Sequence, residues 1–106
     1  MKQRAMISQP MVGRSDEEIA ATRGRAVAVL ESKGYEVVNT LFTEDWHSER
    51  GMGGVTAPGL FYLAKSLDAM SRCHAAYFCR GWDRARGCVI EEAAARAYGI
   101  DVIYEE

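Results

Sequence analysis

The 106-residue chain has the length of one domain, and 48% hydrophobic with 26% charged residues is a globular composition, which excludes disordered, collagenous and repeat-array classes. Thirteen basic against fifteen acidic residues give a formal charge of −2, so the pull that polybasic proteins exert on genomic nucleic acid or anionic lipid is missing. Apolar runs such as Ala75-Ala76-Tyr77-Phe78-Cys79 fall far short of the ~18 residues of a membrane span, and the amino terminus lacks a signal-peptide apolar core, which predicts a soluble, cytoplasmic protein with no membrane partner.

Short apolar stretches alternate with longer stretches of helical period in the order β-α-β-α-β-α-β, the pattern of a parallel sheet covered by helices. The first strand is predicted at Ala5-Met6-Ile7-Ser8. Ser15-Asp16-Glu17-Glu18 reads as a capping box, in which Ser15 and Glu18 satisfy each other's spare backbone donors and the acids suit the positive end of the helix dipole. Ile19, Ala26, Val27 and Leu30 then recur at helical spacing, and Lys33-Gly34 supplies a cation and a glycine stop. Gly24 costs this helix about 1 kcal/mol against alanine, which points to a close backbone contact.

Tyr35 to Phe42, carrying Val37, Val38, Leu41 and Phe42, reads as the second strand. After it, Thr43 to Gly59 is polar and glycine-rich without periodicity, and a flexible loop is predicted at 43–58. Its Trp46, His47 and Gly51-Met52-Gly53-Gly54 suit a flap over a ligand or a plain surface insertion. Pro58 opens a helix whose Leu60, Leu63, Ala64, Leu67 and Met70 form a core stripe. Ala75 to Cys79, apolar on both faces, is a central parallel strand. The polar loop Arg80 to Gly87 feeds a helix from about Cys88 to Tyr98, stopped by Gly99, and Ile100 to Tyr104 closes the sheet. Right-handed crossovers and helices on both faces then give one α/β domain over residues 1–106. Its expected architecture is a three-layer, flavodoxin-like or Rossmann-like fold with a four-stranded parallel sheet in order 2-1-3-4.

Cys73, Cys79 and Cys88 are odd in number and fit neither a disulfide framework nor C-x-x-C spacing, so reduced thiols are expected, Cys73 and Cys79 as small buried hydrophobes. His47 and His74 have no partners at ligand spacing, and no metal is expected; His74, entering a strand, reads as structural. A phospho-receiver would want an acid where Cys79-Arg80 stand, and a serine hydrolase would want G-x-S-x-G.

Open α/β sheets bind ligands beyond the carboxyl ends of their strands at the switch point, here between strands one and three. That rule brings together the loops Ser8 to Arg14 and Arg80 to Gly87 and two helix amino termini. Gly13, Arg14, Arg80, Arg84 and Arg86 there suit an anion or are ordinary solvated charge; neither loop holds a P-loop or dinucleotide glycine motif. Glu91 is predicted in about the first turn of the last helix, facing this crevice, with the dipole keeping its carboxylate ionised. Such a carboxylate suits attack on an anomeric carbon or stabilisation of an oxocarbenium-like transition state; the alternative is that Glu91, like Glu92, decorates a helix start.

Ile7-Ser8-Gln9-Pro10-Met11-Val12-Gly13-Arg14, Gly34-Tyr35-Glu36-Val37-Val38-Asn39, Gly81-Trp82 and Gly87-Cys88-Val89-Ile90-Glu91 with Ala95 give the chain its resemblance, over nearly its whole length, to the small nucleoside 2-deoxyribosyltransferase-like proteins. These are related to the deoxynucleoside 5′-monophosphate N-glycosidases. The resemblance implies N-glycosidic bond cleavage or base exchange on a nucleoside or nucleotide, with the glutamate of a G-x-x-x-E stretch, here Glu91, as nucleophile. It places sugar or phosphate contacts on Ser8, Gln9, Pro10, Met11, Gly13 and Arg14, with Asn39, Gly81, Trp82, Arg84 and Gly87 completing the site. No metal or organic cofactor is implied. Homo-oligomers are, with Leu60, Phe61 or Tyr62 suited to the interface.

Relatives often carry an aspartate early in the helix before the third strand. That place is Ser66 here, with Asp68, the second catalytic candidate, two residues later and turned by about 200°. Their aspartate at the strand start reads as His74, and a serine before the last loop's glycine reads as Ala85. A non-catalytic nucleotide-binding or sensing module on the same fold is the alternative function.

Overall fold

The computed structural model describes residues 2–40 and 54–106. In chain order these form β1 (Arg4–Ser8), α1 (Asp16–Ser32), β2 (Glu36–Val38), α2 (Pro58–Met70), β3 (Ala75–Phe78), a 3-10 turn (Trp82–Arg84), α3 (Arg86–Ala97) and β4 (Asp101–Tyr104). All strand pairs are parallel, in the order β2-β1-β3-β4. This is the expected α/β, flavodoxin-like arrangement. Most of the loop predicted at 43–58, with Trp46 and His47, lies outside the described residues, as do Leu41 and Phe42.

Alternation along the two central strands builds two cores, because successive side chains leave a strand on opposite faces. Ala5, Ile7, Ala75, Tyr77 and Cys79 pack with Ala26 and Leu30 of α1 on one face. Met6, Ala76 and Phe78 pack with Met70, Cys73 and Ala95 on the other, where α2 and α3 lie. Ser8 therefore shares a face with Met6 and Phe78. Phe78, Met6 and Leu30 are among the largest fully buried side chains. Burial pushes the Cys79 thiol up to about 12, so it is inert as a thiolate. All three cysteines are free and buried.

Local chemistry sets where each element starts and stops. The capping box closes as expected, with the Glu18 N–H donating to Ser15 Oγ at 3.1 Å and the Ser15 N–H to Glu18 Oε1 at 3.2 Å. Those bonds hold the Glu18 carboxyl below its ordinary range. Strand β2 starts later than expected, because the Tyr35 N–H still bonds the Leu30 carbonyl at the end of α1. Just beyond its end the Thr40 hydroxyl, not a backbone group, donates to the Ile7 carbonyl at 2.8 Å. Gly24 is a correction: nothing lies within 4 Å of where its Cβ would be, so no close contact explains it. Within the α2 stripe, Leu67 and Met70 reach the core, whereas Leu60 at its start is 65% exposed.

Helix α3 starts at Arg86, two residues earlier than expected, because Gly87 enters its first turn instead of ending the loop. Among the described residues no helix is long and apolar enough to cross a membrane.

Candidate functional site

Strands β1 and β3 end side by side, Ser8 opposite Phe78, so the loops that follow them meet. Gly81 marks the contact. Its φ of +92° favours glycine, and a Cβ there would lie 3.0 Å from Arg14 Nη2 and 3.5 Å from Pro10 Cγ. The crevice expected at the switch point is therefore built by Pro10 and Arg14 from one loop and Gly81 from the other.

Glu91 stands on α3, on the face turned to Ser8 at the end of β1. It is the sixth residue of that helix and 8% exposed, and it forms no ion pair among the described residues. Loss of water therefore dominates its electrostatics and raises its pKa above the ordinary 4.5. The helix dipole does not offset this loss of water, since the dipole fades beyond the first turn and Glu91 lies in the second. The hydroxyls of Ser8 and Ser66 come near enough to draw its pKa partly back down. Ser8 is 3% exposed, and its hydroxyl closes no well-formed hydrogen bond within the protein. The Cys88 thiol, one turn before Glu91, is raised by burial, with Ser8 drawing it partly back down and the Glu91 charge raising it further.

Three elements thus bring Ser8, Ser66, Cys88 and Glu91 to one place. Two sequence signals mark the cluster: Cys88, Glu91 and Ala95 follow the helical spacing of one face, and Ser8 has the parity of Met6.

The other candidates divide. Gln9 donates from Nε2 to the Ile19 carbonyl at 3.1 Å, and its buried Oε1 has no hydrogen-bond partner among the described residues. Met11 is exposed, the Arg14 N–H closes a turn onto the Met11 carbonyl at 3.2 Å, and Gly13 within it has φ +78°. Arg84 is exposed on the 3-10 turn, and Gly87 sits half-buried in the first turn of α3. Trp82 stacks on Tyr104 with ring centroids 5.5 Å apart and leans on Phe78, so its ring belongs to the core edge. Asn39 accepts from Arg23 Nη2 at 3.2 Å.

Asp68 is not brought to Glu91. Its side chain is 68% exposed and pairs with Arg72 across 3.4 Å, the outward direction that a two-residue step from Ser66 dictates. His74 is structural as expected, its Nδ1 accepting the Arg4 N–H at 2.9 Å. Among the described residues no three His, Cys, Asp or Glu side chains gather as metal ligands.

A buried carboxyl with no counter-charge among the described residues, flanked by hydroxyls at the end of a central strand, has the chemistry of a nucleophile when ionised and of a proton donor when not. No family model, curated protein or solved structure matches this chain.

Proposed function

We propose that the protein cleaves or exchanges the N-glycosidic bond of a nucleoside, nucleotide or nucleotide-derived small molecule, with Glu91 as the nucleophile. The observation that carries this reading is the Glu91 carboxyl itself, buried at the end of β1, unpaired among the described residues and flanked by Ser8 and Ser66. A group so placed costs stability and repays it only through chemistry or binding. The ionised oxygen attacks C1′, the C1′–N bond breaks with its electron pair leaving on the base, and the base takes a proton from solvent. Water or a second base then opens the glycosyl ester and frees Glu91. These steps balance without a metal or organic cofactor.

Ser8, Gln9, Gly13 and Arg14 hold the sugar or its phosphate, with Pro10, Met11 and Gly81 shaping the crevice. Asp68 takes no step, since it faces solvent. The protein acts in the cytoplasm, where a reducing environment keeps its three buried thiols free. It assembles as a homo-oligomer through the start of α2, where Leu60 is exposed. Light scattering that returns an 11.8 kDa particle at micromolar concentration contradicts the assembly.

A second reading, a non-catalytic nucleotide-binding or sensing module, is favoured by one observation. Asp68 is turned away and Ser66 stands nearer Glu91, so among the described residues no second carboxylate beside Glu91 is placed to orient the sugar or protonate the base. Chromatography decides between the two. The protein is incubated with a panel of nucleosides and 5′-monophosphates, with and without an acceptor base. Free or exchanged base that disappears in Glu91→Gln establishes the glycosyl chemistry, and tight binding of a panel member without product establishes the module.

A further inference from the structure

We propose that Cys88 is a positioning residue for Glu91: its thiol proton goes to Ser8 Oγ and so turns the single Ser8 hydroxyl proton onto the Glu91 carboxylate. What the positioned carboxylate then does rests on the nucleophile reading of Glu91; the positioning itself does not.

Helix geometry brings the three groups together. Cys88 is the third residue of α3 and Glu91 the sixth, so the two are neighbours on the buried face that also carries Ala95. Ser8 ends β1 on the same side of the sheet, and its buried hydroxyl closes no well-formed hydrogen bond among the described residues. Such a hydroxyl is costly to leave alone, and the polar groups beside it include the Cys88 thiol and the Glu91 carboxyl.

The chemistry of these groups fixes the direction of the chain. An ionised carboxylate only accepts, a thiol is a weak donor of one proton, and a serine hydroxyl donates one and accepts two. Ser8 therefore has one proton and two neighbours that could take it. Burial raises the Cys88 pKa, the Ser8 hydroxyl and the Arg14 charge draw it partly back, and the Glu91 charge raises it further. The net direction is up, so the sulfur keeps its proton and meets Ser8 as a donor, which leaves the Ser8 proton for Glu91. Hydrogen bonds in such a chain strengthen one another. Ser66 reaches Glu91 from α2 on its own.

The other two cysteines show why this thiol is open to the task. Cys73 donates to the Ala69 carbonyl at 3.3 Å, four residues back at the end of α2. Cys79 packs on the α1 side of the sheet, away from Glu91. Cys88 stands in the first turn of α3, where the residue four back is Arg84 on the 3-10 turn, so the bond that satisfies Cys73 has no counterpart within its helix.

The test follows the Glu91 carboxyl carbon by NMR against pH in the full chain, with no substrate present. Cys88→Ala is expected to move the midpoint to higher pH, by less than Ser8→Ala does, because the thiol acts only through the hydroxyl. Cys88→Val, which refills the space without a donor, gives a rise as well, whereas Cys88→Ser, which keeps a donor, stays at or below the parent. In a Ser8→Ala background Cys88→Ala adds no further shift, the non-additivity of residues that act in one chain. A midpoint that the alanine and valine variants leave unchanged or move to lower pH overturns the proposal, since the thiol then only keeps water out. A serine variant that rises with alanine overturns it too, as does a rise that persists in full in the Ser8→Ala background. Where turnover is present, the rising limb of its pH profile moves with the resonance in Cys88→Ala. Turnover that survives Glu91→Gln ends the nucleophile reading and leaves the titration as it stands, so the two readings fail separately.

Discussion

Successive residues of α3 bury two glutamates against two different regions, and the regions treat the same carboxyl group in opposite ways. Toward β4, Glu92 receives the Tyr104 hydroxyl at 2.6 Å and Arg96 Nε at 2.8 Å, and these donors hold its pKa below the ordinary range. Toward the mouth of β1, the donors that act on Glu91 among the described residues are the hydroxyls of Ser8 and Ser66, and loss of water drives its pKa up. Burial alone therefore does not mark a functional acid. A carboxylate given strong donors holds the structure together, and one left short of them is a candidate for chemistry or binding.

The sharpest way to break this contrast is to neutralise each acid in turn. Glu91→Gln is expected to abolish base release or exchange, by about a thousandfold or more if it is the nucleophile, while the fold survives. Glu92→Gln is expected to leave turnover in place and lower the melting temperature, since the amide is a poorer acceptor for Arg96 and Tyr104. Turnover that survives Glu91→Gln would end the nucleophile reading.

Trp82 tests the boundary between the two regions. The sequence reading places it among the ligand contacts, whereas its ring stacks on Tyr104 and Phe78 at the β4 side. Trp82→Ala should cost about 3 kcal/mol in chemical denaturation, the lower end for losing a buried aromatic because the ring is only half-buried. Trp82→Phe should keep most of that stability and all of the ligand affinity. Affinity lost in the phenylalanine variant at unchanged stability would return Trp82 to the ligand.

That reassignment shows what the sequence made legible. Strand order, the two helix-covered faces and the meeting of the β1 and β3 loops follow from apolar runs, period and the handedness of crossovers, and all of them hold. Glu91 was reachable because a glutamate four residues after Gly87 has to fall near the crevice. Its electrostatics were not, because they turn on where α3 starts, and Gly87 resembles a loop residue while sitting in the helix. Ser66 and Asp68 show the finer limit: two residues apart in sequence, they point to opposite sides of α2. Contacts made across elements, such as Tyr104 with Glu92 or Arg14 on Gly81, have no local signal at all.

Stability against pH separates the two acids again, with opposite signs. Glu92 binds its proton less tightly when folded, so its contribution is present above the ordinary 4.5 and is lost as pH falls through its lowered pKa. Glu91 binds its proton more tightly when folded. Its contribution is present below 4.5 and is lost as pH rises through its raised pKa. Thermal melts across this range should therefore show Glu91→Gln more stable than the parent at neutral pH, with the advantage vanishing in acid. Glu92→Gln should be the less stable protein at neutral pH and should approach the parent in acid. A neutral-pH melting temperature that Glu91→Gln leaves unchanged or lowers would mean that Glu91 has a counter-charge after all.

The smallest expected effect bears on the hydroxyls, the one feature that keeps Glu91 from being an isolated buried acid. Ser8 and Ser66 favour its ionised form, because a hydroxyl proton pointed at a carboxylate stabilises the charge. Ser66→Ala should raise the Glu91 pKa further, and Ser8→Ala should do the same from the opposite element. Following the Glu91 carboxyl carbon by NMR against pH measures this without any substrate. Where turnover is present, the rising limb of its pH profile should move to higher pH by the same interval in each variant, since attack on C1′ needs the ionised group. A limb that moves while the carboxyl resonance does not would assign the limb to another group, and a resonance that moves to lower pH would place both serines outside the reach of Glu91.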